Sequence, residues 1–326
     1  MQMVPPRTRQ NAPMQRSSAW VIGIALVILA AVVGFLLFSN QSEAEPSASP
    51  SAATSLAPSA SAAASASLAA DLLERRWNVL FVGTDHSAER EAQGLPVNSD
   101  AIMLVSLSAD QSELTLVSLP RDTVDVPLPD GGTYSGKING LYVEQGIDVL
   151  RAAMEGVFGV PIDAHVVLDM DDMAALIDAV GGVDVNPPEA LNDDVFTGLH
   201  LEAGPQELDA ATALLYVRTR IDEDYGRMRR HQEVFGSLIE RLTDPDRDLE
   251  LGGLLDGFQS LETDLPLDQV PTLLELARRA REAEVTNLVV EPPLITFEGD
   301  RGDGRGYVLE ADFDAIREEV QTLIGD

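Results

Sequence analysis

Five arginines lie within one short segment of this sequence and are its most concentrated source of positive charge. The segment from residue 218 to residue 230 contains Arg218, Arg220, Arg227, Arg229 and Arg230. A guanidinium group is a planar fork of hydrogen-bond donors that fits phosphate and carboxylate oxygens. The cluster therefore predicts either a binding site for an anionic ligand or a network of ion pairs with the acids next to it in the sequence.

The spacing of these arginines limits which of them can act together. On a helix, residues three or four apart share a face, so Arg227 projects with Arg230 and with His231. Arg218 and Arg220 are two residues apart. Both can therefore serve one site only if the chain is extended, or leaves its helix, between them.

Two aspartates lie where apolar runs begin or end. Asp85 follows the run 77–83, and Asp100 precedes the run 101–108. Ligands of open α/β sheets bind at strand ends, and carboxylate oxygens are ligands that Mg²⁺ prefers. A lone aspartate in such a position also commonly caps a helix or a turn, and the spacing leaves both roles open.

Two further segments combine a cation with features of a phosphate site. The segment 118–123 ends a third apolar run and places Arg121 beside Asp122. Arg121 can bind phosphate while Asp122 orients its guanidinium or takes a proton, and a simple salt bridge between the two is the alternative. Lys137, the only lysine in the chain, lies in the glycine-flanked stretch GKING. A compact ammonium on a flexible stem suits a cramped phosphate site, whereas a surface location is the ordinary alternative.

The elements that must position these residues alternate between strand and helix patterns, which predicts an α/β sheet covered on both faces. Two of the predicted strands, 101–108 and 113–120, are close enough to form a hairpin. The remaining predicted strands are 77–83, 163–170 and a short one around 286–290. The predicted helices are 146–159, 171–182, 207–220, 224–242, 267–283 and 312–324.

Residues 19–38 form a stretch of twenty residues without a charge, which as a helix spans about 30 Å of hydrocarbon. A cleaved signal peptide has a shorter apolar core, so the stretch predicts a single membrane-spanning helix. Three arginines precede it and two glutamates follow it. This charge bias predicts that residues 1–18 are cytoplasmic.

The rest of the chain is then expected outside the cell, anchored to the cell membrane by one span. Residues 39–70 are mostly serine, alanine and proline, which is typical of a flexible linker, and residues 71–326 form one extracellular domain. The net charge of −32 excludes a general affinity for nucleic acid. The absence of cysteine excludes disulfides and thiolate metal sites.

Seven ordered segments between about residue 77 and residue 232 resemble the LytR-CpsA-Psr family of cell-wall glycopolymer ligases. They are NVLFVGTD, NSDAIMLVSLS, LTLVSLPRDT, GKING, IDAHVVLDMDDMAALIDAVGGVDV, LHLEAGPQELDAATALLYVRTR and DYGRMRRHQ, and a weaker match continues to about residue 324. The resemblance implies a three-layer α/β/α sandwich with a mixed central sheet and an apolar tunnel for a lipid tail.

The resemblance also implies a phosphotransferase. Such an enzyme moves a glycopolymer from a polyprenyl-pyrophosphate carrier to a hydroxyl of peptidoglycan, forms a phosphodiester and is assisted by Mg²⁺. The implied metal ligands are Asp85 and Asp100. The implied pyrophosphate-binding residues are Arg121, Lys137, Arg218, Arg220, Arg227 and His231, and the implied catalytic residues are Arg121, Asp122 and Asp224.

Two positions depart from the family pattern. Asn98 stands where the family commonly has arginine, so one expected cation is missing, and His231 stands where it usually has glutamine. Histidine can donate to a phosphate oxygen and can carry charge near neutral pH. The general base stays open between Asp122, Asp224 and the metal. A protein that only binds the lipid pyrophosphate, and a hydrolase acting on the same lipid, remain alternatives.

Overall fold

A computed structural model of the chain describes residues 73–244, 261–265, 276 and 283–325. The predicted membrane span, the linker and most of the predicted helix 267–283 lie outside these residues, so those predictions stay predictions. Within the described ranges, no helix has the length and apolar character needed to cross a membrane.

The strands number fourteen within the described residues and range from two to nine residues in length. In chain order they are β1 (Trp77–Thr84), β2 (Ser99–Leu107), β3 (Glu113–Ser118), β4 (Val126–Pro127), β5 (Thr133–Tyr134), β6 (Ala164–Leu168), β7 (Val183–Val185), β8 (Leu191–Asn192), β9 (His200–Leu201), β10 (Gln206–Leu208), β11 (Glu262–Thr263), β12 (Glu284–Val289), β13 (Ile295–Asp300) and β14 (Tyr307–Ala311).

The helices that the structure describes alternate with these strands. They are α1 (Ala88–Ala92), a 3₁₀ turn (Ile138–Gly140), α2 (Leu141–Gln145), α3 (Ile147–Phe158), α4 (Met170–Ala179), α5 (Ala210–Arg218), α6 (Glu223–Thr243) and α7 (Phe313–Ile324). Three of them begin at an aspartate whose side chain accepts a backbone N–H of the first turn, Asp169 for α4, Asp209 for α5 and Asp312 for α7.

The central sheet is mixed and has six strands in the order β11, β6, β1, β2, β3, β12. The neighbours β6 and β1 are parallel, as are β3 and β12, and the other pairs are antiparallel. The predicted mixed α/β fold and the predicted β2–β3 hairpin are therefore confirmed. In this arrangement one end of the sheet contains the start of β2 and the C-terminal ends of β1, β3, β6 and β12.

Apolar side chains pack on both faces of this sheet. Alternate residues of β1 point to opposite faces, so Val79 and Phe81 belong to one core cluster and Leu80 and Val82 to the other. The first cluster includes residues of α4, α5 and α6, and the second includes residues of α3 and α7. Because helices cover both faces, the central strands are apolar along their length and expose polar groups only at their ends.

The sequence pattern did not predict the short strands that form small sheets outside the central one. The predicted helix 207–220 begins later, at Ala210, because residues 206–208 form β10 and pair with β7. The β13–β14 hairpin was not predicted either, since its alternation is interrupted by a register shift and by Gly299. Both strand pairs lie outside the central sheet.

Candidate functional site

The two aspartates expected at strand ends lie side by side at the edge of the central sheet. Thr84 at the end of β1 pairs with Ser99 at the start of β2, and the N–H of Asp85 donates to the Asn98 carbonyl at 2.9 Å. The antiparallel pairing of β1 and β2 thus brings together Asp85 and Asp100, which the sequence separates by a loop and a short helix.

Asp85 is held by groups that follow it in the sequence. Its Oδ2 accepts from Arg90 Nη2 at 2.7 Å, and its Oδ1 accepts from the Asn98 N–H at 2.6 Å. The Asn98 side-chain amide also donates to Oδ2 at 3.3 Å. Arg90 therefore supplies a cation near the position where Asn98 replaces the arginine of the family. Sequence reasoning missed Arg90, because nothing but its distance of five residues connects it to Asp85.

Asp100 lies at the centre of three guanidinium groups. Arg121 Nη1 donates to its Oδ1 at 2.5 Å, while Arg227 Nη1 and Arg220 Nη2 lie 3.6 Å and 4.0 Å from its Oδ2. Burial lowers the pKa of Arg121, but the Asp100 carboxylate outweighs this effect and raises it overall. One carboxylate thus gathers arginines from the end of β3, from the α5–α6 turn and from α6.

Arg227 is the deepest of these arginines, with 2% of its side chain exposed. Burial lowers the pKa of Arg227 to about 10, although Asp224 at 3.1 Å opposes the change. The group still carries its charge at neutral pH. It lies behind Asp100 and Asp224 and fixes their positions, and its role in pyrophosphate binding stays a prediction.

The second pair of acids, Asp122 and Asp224, shares a hydrogen bond between carboxyl groups. Burial favours the neutral form of Asp122, but Lys137 Nζ at 2.8 Å and Arg121 outweigh it and lower its pKa. Burial raises the pKa of Asp224, and the charge of Asp122 adds to the rise against the opposing effect of Arg227. Of the two acids, Asp224 therefore binds a proton more readily, and Asp122 is the one that ionises more readily.

Lys137 is fixed beside Asp122 by its backbone. Ile138 N–H donates to the Thr123 carbonyl at 2.8 Å, and Asn139 N–H donates to the Arg121 carbonyl at 3.1 Å. These bonds join the GKING segment to the turn after β3 and leave the Lys137 ammonium partly exposed.

Steric contact with Tyr134 explains why the GKING segment begins and ends with glycine. A Cβ added at Gly136 or at Gly140 would lie 2.9 Å from the hydroxyl oxygen of Tyr134, so only glycine fits beneath that ring. The lysine segment is therefore packed tightly on the tyrosine, which limits where its backbone can move.

Arg218 and Arg220 lie on the turn between α5 and α6, where the chain is extended as their spacing required. Helix α5 ends at Arg218, and Thr219 adopts φ −62° and ψ 146°. Thr219 is fully buried and its hydroxyl donates to Asp193 Oδ2 at 2.6 Å. Since alternate residues of an extended chain point to one side, Arg218 and Arg220 project together away from Thr219. Sequence reasoning missed Asp193.

The remaining two arginines of the cluster form ion pairs, the alternative that the sequence left open. Arg230 is buried, donates to the carbonyls of Tyr216 at 2.8 Å and Thr219 at 2.6 Å, and pairs with Asp222 at 2.6 Å. It thereby holds the α5–α6 turn in place. Arg229 is exposed and pairs with Glu291 at 2.5 Å.

An apolar cavity of about 100 Å³ lies between the central sheet and helices α4, α5 and α6. Asp85, Asp100, Arg218 and His231 contribute polar groups to its wall. Sequence reasoning named no residue of such a cavity, because tunnel wall and core are equally apolar. The apolar lining comes from Phe81, Ala101, Leu168, Met170, Met173, Ile177, Ala213, Leu214, Val217, Val234 and Phe235.

His231 does not carry the charge that was expected near neutral pH. Burial lowers the pKa of His231 to about 3, and the neighbouring Arg227 acts in the same direction. The neutral ring donates from Nε2 to the Val217 carbonyl at 3.0 Å. His231 therefore joins α6 to the end of α5 as a neutral group, and phosphate binding by it stays a prediction.

A second cavity, of about 420 Å³, is lined mainly by charged side chains. Arg121 in its wall donates to Asp100 in the wall of the first cavity. The second cavity brings together five of the predicted site residues, because its wall contains Arg121, Asp122, Lys137, Arg220 and Asp224. Three other residues complete the wall and were not predicted. They are Tyr225, Tyr307 and Leu309.

The donor atoms at the junction of the cavities fit a hard cation. Asp85 and Asp100 both line the apolar cavity, and their carboxylate oxygens are the ligand type that Mg²⁺ prefers. Within the described part of the chain, no group of three or more acidic or histidine side chains surrounds one point. Two protein carboxylates with water and substrate phosphates are a common ligand set for Mg²⁺.

Comparison with known proteins adds information on relatives. The profile of the LytR_cpsA_psr family matches residues 41–320 of the chain. The chain is 31% identical over 199 residues to the Bacillus mycoides (strain KBAB4) protein named Polyisoprenyl-teichoic acid--peptidoglycan teichoic acid transferase TagU. This alignment covers 59% of the chain and 62% of the relative, so the chain spans less than two thirds of the length of TagU.

Two further relatives align over more of the chain. Over 311 residues it is 23% identical to TagV of Bacillus subtilis (strain 168), which carries the same transferase name, and this alignment covers 93% of the chain and 76% of TagV. A solved structure of TagT bound to LIIa-WTA superposes with a TM-score of 0.60 at 22% identity, covering 78% of this chain and 93% of that chain. At this identity the structural likeness shows the fold alone.

Proposed function

Because this chain belongs to the LytR-CpsA-Psr family, we propose that it transfers a glycopolymer from a polyprenyl-pyrophosphate carrier to a hydroxyl of peptidoglycan. An oxygen of the acceptor forms a bond to the phosphorus that carries the polymer, and the bond from that phosphorus to the lipid phosphate breaks. The products are a phosphodiester between polymer and peptidoglycan, a polyprenyl phosphate and one proton.

The adjoining cavities are the observation that carries this proposal. Asp100 in the wall of the apolar space pairs with Arg121 in the wall of the larger polar space, and the polar wall contributes three cations, Arg121, Lys137 and Arg220. A linear lipid tail suits the apolar space, and a pyrophosphate suits the junction. Proteins TagU and TagV, whose names state a transfer of teichoic acid to peptidoglycan, support the substrate class.

The cations stabilise the charge that grows on the phosphate oxygens as the bond to the lipid phosphate breaks. In this reaction the negative charge is greatest on the leaving and the non-bridging oxygens, where fixed cations are most effective. Arg220 and Lys137 are 37% and 30% exposed, so both can contact a ligand without a change in the fold. Arg121 is more buried, and its ion pair with Asp100 fixes the orientation of its guanidinium group.

Asp224 accepts the proton of the acceptor hydroxyl in this proposal. Its raised pKa makes it a stronger base than Asp122, whose charge is stabilised by Lys137. Asp122 receives a hydrogen bond from protonated Asp224 and so steadies the proton after transfer. The choice between the two acids, which the sequence left open, thus follows from their different neighbours.

We assign Asp85 and Asp100 as the protein ligands of Mg²⁺. When bound, Mg²⁺ neutralises phosphate charge and polarises the bond to phosphorus. Arg90 and Arg121 orient the carboxylates of Asp85 and Asp100 through these hydrogen bonds.

The proposed enzyme is a single-pass protein of the cell membrane with its catalytic domain outside the cell. The apolar stretch 19–38 and the charge bias around it support this location. The donor is a membrane lipid and the acceptor is part of the wall, so an anchored domain reaches both.

The reaction is tested by incubating the purified full chain with a lipid-linked saccharide, Mg²⁺ and soluble peptidoglycan fragments. We expect a phosphodiester-linked conjugate by mass spectrometry, and we expect Arg220→Ala to weaken binding of the lipid pyrophosphate about tenfold or more. A charge-assisted contact of this kind contributes roughly 1.5–3 kcal/mol.

Arg229→Ala is the matched control, because Arg229 belongs to the same arginine cluster but pairs with Glu291 at the surface. It is expected to bind like the wild type. Recovery of bound lipid without conjugate points to a binding protein, and release of saccharide phosphate without conjugate points to a hydrolase. Either result rejects the transferase proposal.

A further inference from the structure

One side of the polar cavity is not used by the proposed phosphate chemistry. It is formed by Tyr225, at the start of α6, and by Tyr307, at the start of β14, which is 53% exposed. A tyrosine presents an apolar ring with one polar tip, and two of them beside a charged group form a wall that is apolar in the middle and polar at its rim.

Backbone hydrogen bonds between β14 and the segment that carries Asp122 fix the position of Tyr307. Leu309 N–H donates to the Asp122 carbonyl, and Val124 N–H donates to the Leu309 carbonyl, both at 3.0 Å. These bonds attach β14, at a point two residues after Tyr307, to the segment that carries Asp122.

A second attachment holds the other end of the β13–β14 hairpin. Arg305 Nη1 donates to both carboxylate oxygens of Asp125 at 3.1 Å and to the Ser135 carbonyl at 3.0 Å. These contacts join the hairpin loop to the turn after Asp122 and to the residues before Lys137. Both ends of the hairpin are therefore fastened to segments of the site, so Tyr307 is held at the cavity instead of lying on an independent loop.

Glu298 on β13 links the two tyrosines. Its Oε2 accepts from the hydroxyl of Tyr225 at 3.1 Å and from the hydroxyl of Tyr307 at 3.4 Å. The carboxylate aligns both rings and provides acceptor capacity for further hydroxyl groups, because an ionised carboxylate has about four lone-pair directions. The result is a tyrosine wall, formed by Tyr225, Tyr307 and Glu298, whose two rings line the same cavity as the cations Arg220 and Lys137.

We infer that the tyrosine wall binds a sugar ring next to the phosphate that reacts. A pyranose has an apolar C–H face that packs on an aromatic ring and a rim of hydroxyls that donate to a carboxylate. The wall borders the polar cavity and not the apolar one, so it lies where the saccharide side of a pyrophosphate held at Asp100 extends.

This inference rests on the proposed function, since it assumes that the ligand carries a sugar on the side of the phosphate away from the lipid. Two sugars meet that description, the first residue of the donor polymer and the acceptor residue of peptidoglycan. Their shared chemistry is a sugar ring within reach of Asp122 and Asp224, and the experiment has one arm for each.

The donor arm compares two soluble lipids with the full chain in detergent. The probes are farnesyl pyrophosphate, which has no sugar, and a short polyprenyl-pyrophosphate N-acetylglucosamine. If the wall binds the donor sugar, Tyr307→Ala weakens the affinity for the sugar-bearing lipid at least fivefold and leaves the affinity for farnesyl pyrophosphate unchanged. Tyr307→Phe keeps the ring and retains most of the affinity.

The acceptor arm measures equilibrium binding of a muramic-acid-containing disaccharide to the protein loaded with farnesyl pyrophosphate. If the wall binds the acceptor sugar, Tyr307→Ala and Glu298→Gln each weaken this binding at least fivefold. Phe196→Ala, which removes a similarly exposed aromatic ring that lines neither cavity, is the control and is expected to match the wild type.

Wild-type affinities for both sugar probes in Tyr307→Ala and Glu298→Gln would overturn the inference. So would an equal loss of affinity for farnesyl pyrophosphate, because the wall would then serve the phosphate. Neither arm needs turnover, so a wild-type protein that forms no conjugate rejects the transferase proposal while the sugar site is tested separately.

Discussion

Asp224 and Asp122 show that two neighbouring carboxyl groups acquire different roles from their partners. Lys137 at 2.8 Å keeps Asp122 charged, while Asp224 is buried beside it and has a raised pKa. A like charge nearby disfavours ionisation, so the two acids differ in their affinity for a proton. The basic member is therefore defined by geometry around the pair.

Replacement of the base has a predictable kinetic effect. We expect Asp224→Asn to lower kcat by about 10²–10⁴-fold, the usual contribution of a positioned base, with donor affinity changed only a few-fold. The measurement is turnover with saturating donor, alongside the affinity for farnesyl pyrophosphate. Equal loss of kcat and of donor affinity would instead assign Asp224 to binding.

The pH profile gives an independent check on the same pair. A base must be deprotonated to act, so kcat/KM of the wild type falls as the pH decreases through the raised pKa of Asp224. Removal of the Asp122 charge in Asp122→Asn lowers that pKa, and the acid limb of the profile shifts to lower pH. An unshifted limb would mean that another group controls it.

His231 makes a prediction about stability. Its pKa is lowered from 6.5 to about 3 in the folded chain, so between these values the unfolded chain binds a proton that the folded chain does not. Stability is therefore lost as the pH falls from 6.5 towards 3, by up to about 1.4 kcal/mol for each pH unit.

His231→Gln is expected to reduce this acid sensitivity, because a glutamine amide can donate to the Val217 carbonyl without titrating. Urea unfolding of both proteins at pH 7 and pH 5 measures the difference. A pH dependence that is the same in wild type and variant would contradict the assignment.

At the scale of elements, the turn between α5 and α6 determines where two of the site arginines project. Asp193 is fully buried and accepts hydrogen bonds from Thr219 Oγ1 and from the backbone of its own loop. Arg230 holds the same turn from the other side. The turn is thus fixed by groups that contact no part of either cavity wall.

Thr219→Val removes one of these bonds with little change in shape. We expect the free energy of unfolding to fall by roughly 1–3 kcal/mol, because a buried carboxylate loses one of its donors. Affinity for the lipid pyrophosphate should fall as well, since Arg218 and Arg220 lose their fixed direction. The same substitution at exposed Thr322, which bonds only within its own helix, is the control and should leave affinity unchanged.

The elements also explain what could be predicted from the sequence. Long apolar runs such as residues 77–83 and strong helical periods such as residues 224–242 identified β1 and α6, because burial of a whole face leaves a clear pattern. Asp193 and Tyr307 were not found, because each depends on a contact between segments far apart in the chain. No local pattern records such a contact.

At the scale of the whole molecule, the expected anchor and the described domain have separate roles. The site is built entirely from residues after position 80, whereas the apolar stretch 19–38 carries the membrane affinity in our proposal. Deletion of residues 2–40 is therefore expected to release the protein from membranes and to leave farnesyl pyrophosphate affinity unchanged. Cell fractionation and a binding titration measure the two effects. Persistent membrane association of the shortened chain would place the anchor elsewhere.

The backbone hydrogen bond between Leu309 and Asp122 bears on when, during synthesis, the protein becomes able to bind its substrate. The wall of the polar cavity combines a segment near residue 122 with a strand near residue 309. Contacts so distant in sequence form late, after the intervening chain has been made and folded. A nascent chain that has already folded its N-terminal strands therefore has cations but no completed cavity. The protein can therefore bind its substrate only after most of the domain has been synthesised.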